Sequence, residues 1–139
     1  MSDPAPIARA VLQLARRLRT ERPASGVSSA ALALLNTLHR EGPMPAARLA
    51  EAERLQPQSL SRLIARLTAD GLIARRRGED RRMLLLEITP AGRQVLGRDM
   101  SARRAWLGEA MAAMLTADEQ AELERAAALM TRLASSPSP

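Results

Sequence analysis

The sequence predicts a mainly α-helical fold that carries one small β-hairpin, and three observations lead to this expectation. Strong helix formers (Ala, Leu, Arg, Met and Glu) dominate the 139 residues. Aromatic residues make up 1% of the chain, so the core must be built from aliphatic side chains. The apolar residues repeat with a helical period except over residues 72–89, where they alternate as in strands.

The expected order is six helices, with the hairpin between the fourth and the fifth. The helices should cover residues 4–21, 28–40, a short stretch after Pro45, 57–70, 90–115 and 117–134. The first helix should end near Arg22-Pro23, before a loop at residues 24–26. The strands should cover residues 72–77 and 81–89 around a turn at 78–80, with Leu84, Leu86 and Ile88 on one face.

Composition excludes several classes of protein. Cysteine is absent, which excludes disulfides, thiolate metal sites and a thiol redox switch. No phosphate-binding loop, dinucleotide fingerprint or nucleophile elbow is present, so we expect no enzyme, no cofactor and no metal site. Arginines interrupt the N-terminal apolar stretch, and no apolar run reaches the roughly 18 residues of a membrane span. We therefore expect a cytoplasmic protein.

Positive charge is concentrated in the middle third of the chain. The formal net charge is +6, and every basic residue is an arginine. Residues 62–104 contain eleven arginines and five acidic residues, whereas residues 105–139 contain two arginines and five acidic residues. This distribution is typical of a nucleic-acid-binding face on a helical scaffold, although a solvated arginine-rich surface would give the same charge count.

The middle segment has the layout of a winged helix-turn-helix: two short helices, a third amphipathic helix and a two-stranded ribbon, within about 60 residues. In such a unit the last helix of the helix-turn-helix enters the DNA major groove. That helix begins here at Pro57, and its outer face carries Gln58, Ser59, Ser61, Arg62 and Arg66. These side chains can hydrogen-bond to base edges or phosphates. The alternative is an ordinary polar face of a surface helix.

The ribbon favours the DNA-binding interpretation. Five arginines lie within eight residues, namely Arg75, Arg76, Arg77, Arg81 and Arg82. Such a cluster repels itself unless an anion neutralises it, and duplex phosphates or a narrow minor groove would do so. A membrane surface could also neutralise it, but the turn has no apolar wedge to enter lipid, so we expect no membrane partner.

At this point the sequence resembles the multiple antibiotic resistance regulator (MarR) family of bacterial transcription factors. The matching segments are Leu49-Ala50, Ser61-Arg62-Leu63, the run from Leu67 to Ile73, Asp80-Arg81-Arg82, and the run from Ile88 to Gly92. The detailed match covers roughly residues 28–95. The Asp-Arg-Arg wing, followed at fixed spacing by Thr-Pro-Ala-Gly, is the most specific part of it.

The resemblance implies roles for individual residues. Arg82 would enter the minor groove, Asp80 would hold the wing tip by pairing with a wing arginine, and Arg62 would contact DNA from the recognition helix. Two positions depart from the family pattern. Gln56 stands where relatives usually have Ser or Thr as the recognition-helix N-cap, and the wing is shorter by about one residue.

The resemblance also implies a homodimer, and the apolar stripes of the first and last helices favour it, because a body of about 60 residues could not cover them. We expect an N-terminal dimerisation helix at 1–27, a DNA-binding lobe at 28–89, C-terminal dimerisation helices at 90–134 and a disordered tail at 135–139.

The expected function is a dimeric repressor of transcription that binds a pseudo-palindromic site on double-stranded DNA and is released by a small molecule. The alternatives are an activator, or a winged-helix dimer that acts mainly through protein contacts. His39 and Trp106 are candidate residues of the effector pocket, although a structural role for both is the simpler interpretation.

Overall fold

Six helices surround a small antiparallel sheet, so the predicted mainly α fold with a β-wing is confirmed. The computed structural model describes residues 1–21 and 26–137, and the predicted end of the first helix at residues 22–25 and the last tail residues, 138–139, lie outside them. The helices are α1 (Ala5–Thr20), α2 (Ser29–Glu41), α3 (Ala46–Glu53), α4 (Pro57–Ala69), α5 (Pro90–Met114) and α6 (Ala117–Ala134). The strands are β1 (Met44–Pro45), β2 (Ile73–Arg77) and β3 (Leu84–Ile88).

The sheet has three strands in the order β1-β3-β2, where the sequence predicted two. The additional strand is the two-residue β1, which pairs Met44 with Leu86. The second strand of the hairpin begins at Leu84 and not at Arg81, because residues 78–83 form a closed loop. In that loop the Gly78 N–H donates to the Met83 carbonyl at 3.0 Å, and the Met83 N–H donates to the Asp80 carbonyl at 2.9 Å.

One core joins α2, α3, α4 and the sheet. Its fully buried side chains are aliphatic, as the composition requires: Leu34, Leu35, Leu38, Met44, Leu49, Leu67 and Ile73. The predicted inward positions Leu60 and Ile64 of α4 are buried as well. A polar contact supports the same interface, since the buried Thr37 hydroxyl of α2 donates to the Glu53 carboxylate of α3. The core therefore fixes α4 against the rest of the lobe.

The start of α5 is attached to the base of the hairpin. Thr89 caps α5 by accepting from the Gly92 N–H at 3.1 Å, and the same hydroxyl donates to the Gly71 carbonyl at 2.6 Å. A Cβ at Gly92 would lie 2.2 Å from the Leu72 carbonyl oxygen. Only glycine allows this approach, so α5 and the wing are joined at close range.

We expect Gly92→Ala to destabilise the fold by about 1–3 kcal/mol, because the added methyl group meets backbone atoms that cannot move aside easily. Gly97→Ala on the same helix is the matched control, since nothing lies within 4 Å of its Cβ position. That change should stabilise by roughly 0.5–1 kcal/mol through helix propensity. Thermal and urea unfolding measure both values, and equal effects of the two substitutions would contradict the close approach.

The flanking helices α1 and α6 contain no buried residue. Ile7 is 54% exposed, Leu133 is 70% exposed, and Met114 at the end of α5 is 81% exposed. The expectation that Met114 fills the core is therefore wrong for the single chain. Within the chain, α1 contacts α5, where the Arg17 guanidinium lies 4.8 Å from the centre of the Trp106 ring. Trp106 thus packs against α1, the structural role that the sequence favoured.

Candidate nucleic-acid interface

A three-residue turn joins α3 to α4. Arg54 ends α3 in the left-handed region at φ 52°, and its N–H donates to carbonyls of the last turn of α3. Gln56 precedes α4 in an extended conformation and makes no side-chain capping bond. Pro57 follows at the first helical position, where a backbone N–H is not needed. The departure at Gln56 therefore leaves α4 without a side-chain cap.

The predicted recognition residues all lie on the exposed surface of α4, namely Gln58, Ser59, Ser61, Arg62 and Arg66. The helix buries Leu60, Ile64 and Leu67 on the opposite side. Arg66 lies 3.7 Å from the Asp70 carboxylate, and both side chains are more than half exposed, so this pair is weak. Ser59, Arg62 and Arg66 also line a groove of about 450 Å³ next to the N-terminus of α2.

The five predicted wing arginines are all exposed, and the strand register divides them between positions. Arg75 and Arg77 lie opposite Leu86 and Leu84, on the face that continues from the core. Arg76 lies on the other face, where its Nε is 3.0 Å from Oε2 of Glu87. Arg81 and Arg82 lie in the loop. Glu87 is thus a functional candidate that the sequence did not single out, because the diagonal contact depends on register.

Asp80 contacts the backbone of the wing loop. Its Oδ1 accepts a hydrogen bond from the Arg82 N–H at 3.0 Å, and the Arg77 guanidinium donates to the Arg81 carbonyl at 3.0 Å. Within residues 1–21 and 26–137, no ion pair joins Asp80 to an arginine. The expected guanidinium partner is therefore replaced by a backbone N–H, the usual bond of an aspartate in a tight turn.

We expect Asp80→Ala to weaken specific DNA binding by several-fold even though it removes a negative charge, because the loop that presents Arg82 loses its side-chain bond. Glu79→Ala is the charge-matched control, since Glu79 is the exposed neighbour of Asp80 in the same loop. That control should strengthen binding slightly. Titration of a labelled duplex measures both, and a gain for Asp80→Ala equal to that for Glu79→Ala would show that only charge matters.

A second cavity, of about 530 Å³, lies between α1, α2 and α5. Its apolar lining includes Leu18, Leu32 and Leu107, and its polar lining includes Asp99 and Arg103. Asp99 is only 4% exposed and pairs with Arg103, from Oδ2 to Nη2 at 3.3 Å. The sequence analysis missed this pair, since the apolar residues of α5 form no single stripe that would show which side of the helix is buried.

His39 and Trp106 do not line this cavity or the groove beside α4. His39 is exposed near the end of α2, and Trp106 packs under Arg17. Their assignment to an effector pocket stays a prediction without support from the geometry of this cavity. The described residues contain no group of three or more acidic, histidine or cysteine side chains that could hold a metal ion. Among the same residues, no helix is both long and apolar enough to span a membrane.

An exposed polar helix on a helix-turn-helix, beside an arginine-rich hairpin, defines the class of winged helix-turn-helix DNA-binding proteins. A sequence model of the MarR family matches residues 27–84. An HTH-type transcriptional regulator of Mycobacterium tuberculosis is 38% identical over 125 residues, 89% of this chain and 87% of the relative. The chain therefore belongs to the MarR family and is a DNA-binding transcriptional regulator.

Solved structures agree with this assignment. A transcriptional regulator from Pseudomonas aeruginosa is 34% identical and superposes with a TM-score of 0.81, covering 96% of this chain and 94% of that one. Wild-type MarR from E. coli in its apo form is 20% identical, with a TM-score of 0.75 and coverage of 96% of both chains. The second comparison is evidence for the fold alone.

Proposed function

We propose that the protein is a homodimeric repressor that places two α4 helices in successive major grooves of a pseudo-palindromic operator and two wings in the flanking minor grooves. The observation that carries the DNA-binding part is the incomplete neutralisation of the wing. In the described part of the chain, only Arg76 of the five wing arginines has a carboxylate within ion-pair distance. The others are available to phosphates or to a narrow minor groove.

The exposed apolar faces of α1 and α6 support the dimer. Ile7, Val11 and Leu14 are exposed on α1, and Leu129, Met130 and Leu133 are exposed on α6. Each square ångström of such surface left in water costs about 25 cal/mol, so a second subunit that covers both helices would stabilise the protein. A two-fold dimer would also explain how one recognition helix per chain reaches two half-sites one helical turn apart.

The position of the cavity supports regulation by a small molecule. The cavity lies against α5, and the start of α5 is bonded to the base of the wing through Thr89 and Gly92. A ligand that displaces α5 would therefore displace the wing as well, and would bind better to one of the two arrangements. Repression as the sign of regulation follows from the resemblance to the family. The finer assignments of Gln58, Ser59, Ser61, Arg62 and Arg66 to the major groove belong to the same proposal.

Selection of bound duplexes from a random pool tests the proposal. We expect enrichment of a two-fold symmetric site with half-site centres 10–10.5 base pairs apart, or a multiple of this spacing. On the selected site, log K should fall against log salt with a slope of about −5 to −9, if a dimer makes roughly 6–10 phosphate contacts. A flat salt response, or no enrichment, would favour a protein that acts through protein contacts.

A further inference from the structure

The buried pair Asp99–Arg103 is incompletely bonded. Its contact joins Asp99 Oδ2 to Arg103 Nη2, and the other two atoms of the pair, Asp99 Oδ1 and Arg103 Nε, are buried without a hydrogen-bond partner in the described structure. Buried polar groups almost always have a partner, and unpaired charged ones are the most costly. The pair therefore has one open acceptor and one open donor.

Both side chains line the cavity between α1, α2 and α5. Asp99 can only accept a hydrogen bond when ionised, and Arg103 can only donate one. The two open atoms belong to groups already in contact, so they lie close together. A ligand that completes the pair must therefore offer a donor next to an acceptor. A carboxylate has no donor and an ammonium has no acceptor, so neither group completes the pair alone.

The rest of the cavity restricts the ligand further. Leu18, Leu32, Leu96 and Leu107 supply an apolar wall. Arg19 and Arg104 also line the cavity, and neither has a carboxylate within ion-pair distance among the described residues, which disfavours a cationic ligand. A compact apolar ring with one polar edge fits this lining, because small-molecule sites combine apolar walls with a few oriented polar groups.

We propose that Asp99 and Arg103 anchor the effector and that the effector is a neutral cyclic amide or ureide, whose N–H donates to Asp99 while the adjoining C=O accepts from Arg103. This inference rests on the proposed function, because it names the ligand class of the regulatory cavity. Asp99 Oδ1 and Arg103 Nε are shielded from solvent. Binding therefore includes small rotations of the two side chains into the cavity, on the helix whose start is bonded to the wing.

Oxindole and N-methyloxindole form a matched pair of probes, since methylation removes the donor and keeps the ring and the carbonyl. Titration calorimetry of the full chain is expected to show that oxindole binds at least ten-fold more tightly than its N-methyl derivative. Equal affinities for the two compounds would overturn the anchor. Absence of oxindole binding up to its solubility limit would overturn the ligand class.

The variant Asp99→Leu/Arg103→Met removes both charges together, which leaves no unpaired ion and tends to preserve folding. Its preference for oxindole over the N-methyl compound should fall to within two-fold. Arg104→Met is the control, because it removes a cavity arginine outside the pair, and it should retain the ten-fold preference. Retention of the preference in the double variant would also overturn the proposal. If the double variant does not fold, the wild-type ratio decides alone.

Duplex binding without a probe is measured on the same samples. Loss of duplex binding by the wild-type chain would refute the proposed function. Normal duplex binding without discrimination between the probes would refute only the ligand assignment.

Discussion

Replacing Leu129 and Leu133 with glutamate is expected to convert the protein into a monomer and to lower its affinity for the operator by about 10²–10⁴. Both residues lie on the exposed apolar face of α6, four positions apart, and are 55% and 70% exposed in the single chain. Two carboxylates at the centre of the proposed dimer interface would be buried without partners. A monomer then presents one recognition helix where two half-sites require two.

The variant Ala127→Glu/Ala128→Glu is the control for this experiment. Both alanines are exposed on α6, and helical geometry places them away from the face of Leu129 and Leu133. The control adds the same charge to the same turn of the helix and should keep both the dimer and the DNA affinity. Sedimentation and duplex titration are the measurements. Unchanged DNA affinity in the leucine variant, or equal losses in both variants, would contradict a dimer interface on this face.

Arg82→Ala is expected to weaken operator binding by about 1–3 kcal/mol, roughly 5–150-fold, with a loss that depends on the A·T content of the flanking base pairs. The reason is that an A·T-rich minor groove is narrow and attracts a guanidinium group strongly. Arg62→Ala should instead change the preferred bases within the half-site, because it lies on the exposed face of α4.

Arg125→Ala serves as the control for these two substitutions, since Arg125 is exposed on α6 and distant in sequence from the lobe. It should change affinity little. Competition titrations with duplexes that differ in the flank or in the half-site separate the effects. If all three substitutions caused the same loss on every duplex, binding would depend on net charge alone.

Local patterns were enough to predict most of the fold. Helices α2 and α4 announce themselves through apolar spacing, and the ends of α5 and α6 follow from Thr89-Pro90 and the Thr116–Glu119 capping box, which forms as expected. Strand β1 could not be predicted, because two residues carry no period, and Met44 becomes a strand only by pairing with Leu86. Tertiary contact decides such short elements.

The candidate site was predictable where it depends on charge and helical geometry. The recognition residues of α4 and the wing arginines lie exposed, as their positions in the sequence indicated. The partner of Arg76 was not predictable, because Glu87 approaches it diagonally across the hairpin. Asp99 and Arg103 look like an ordinary surface pair four residues apart, and only the packing of α5 against its neighbours buries them.

Sedimentation equilibrium of the intact protein, alone and with the selected duplex, tests the central claim most directly. We expect a species of twice 15.1 kDa at micromolar concentration and two chains on each duplex. A single species of 15.1 kDa that remains one chain per duplex would contradict the homodimer and the pseudo-palindromic operator together.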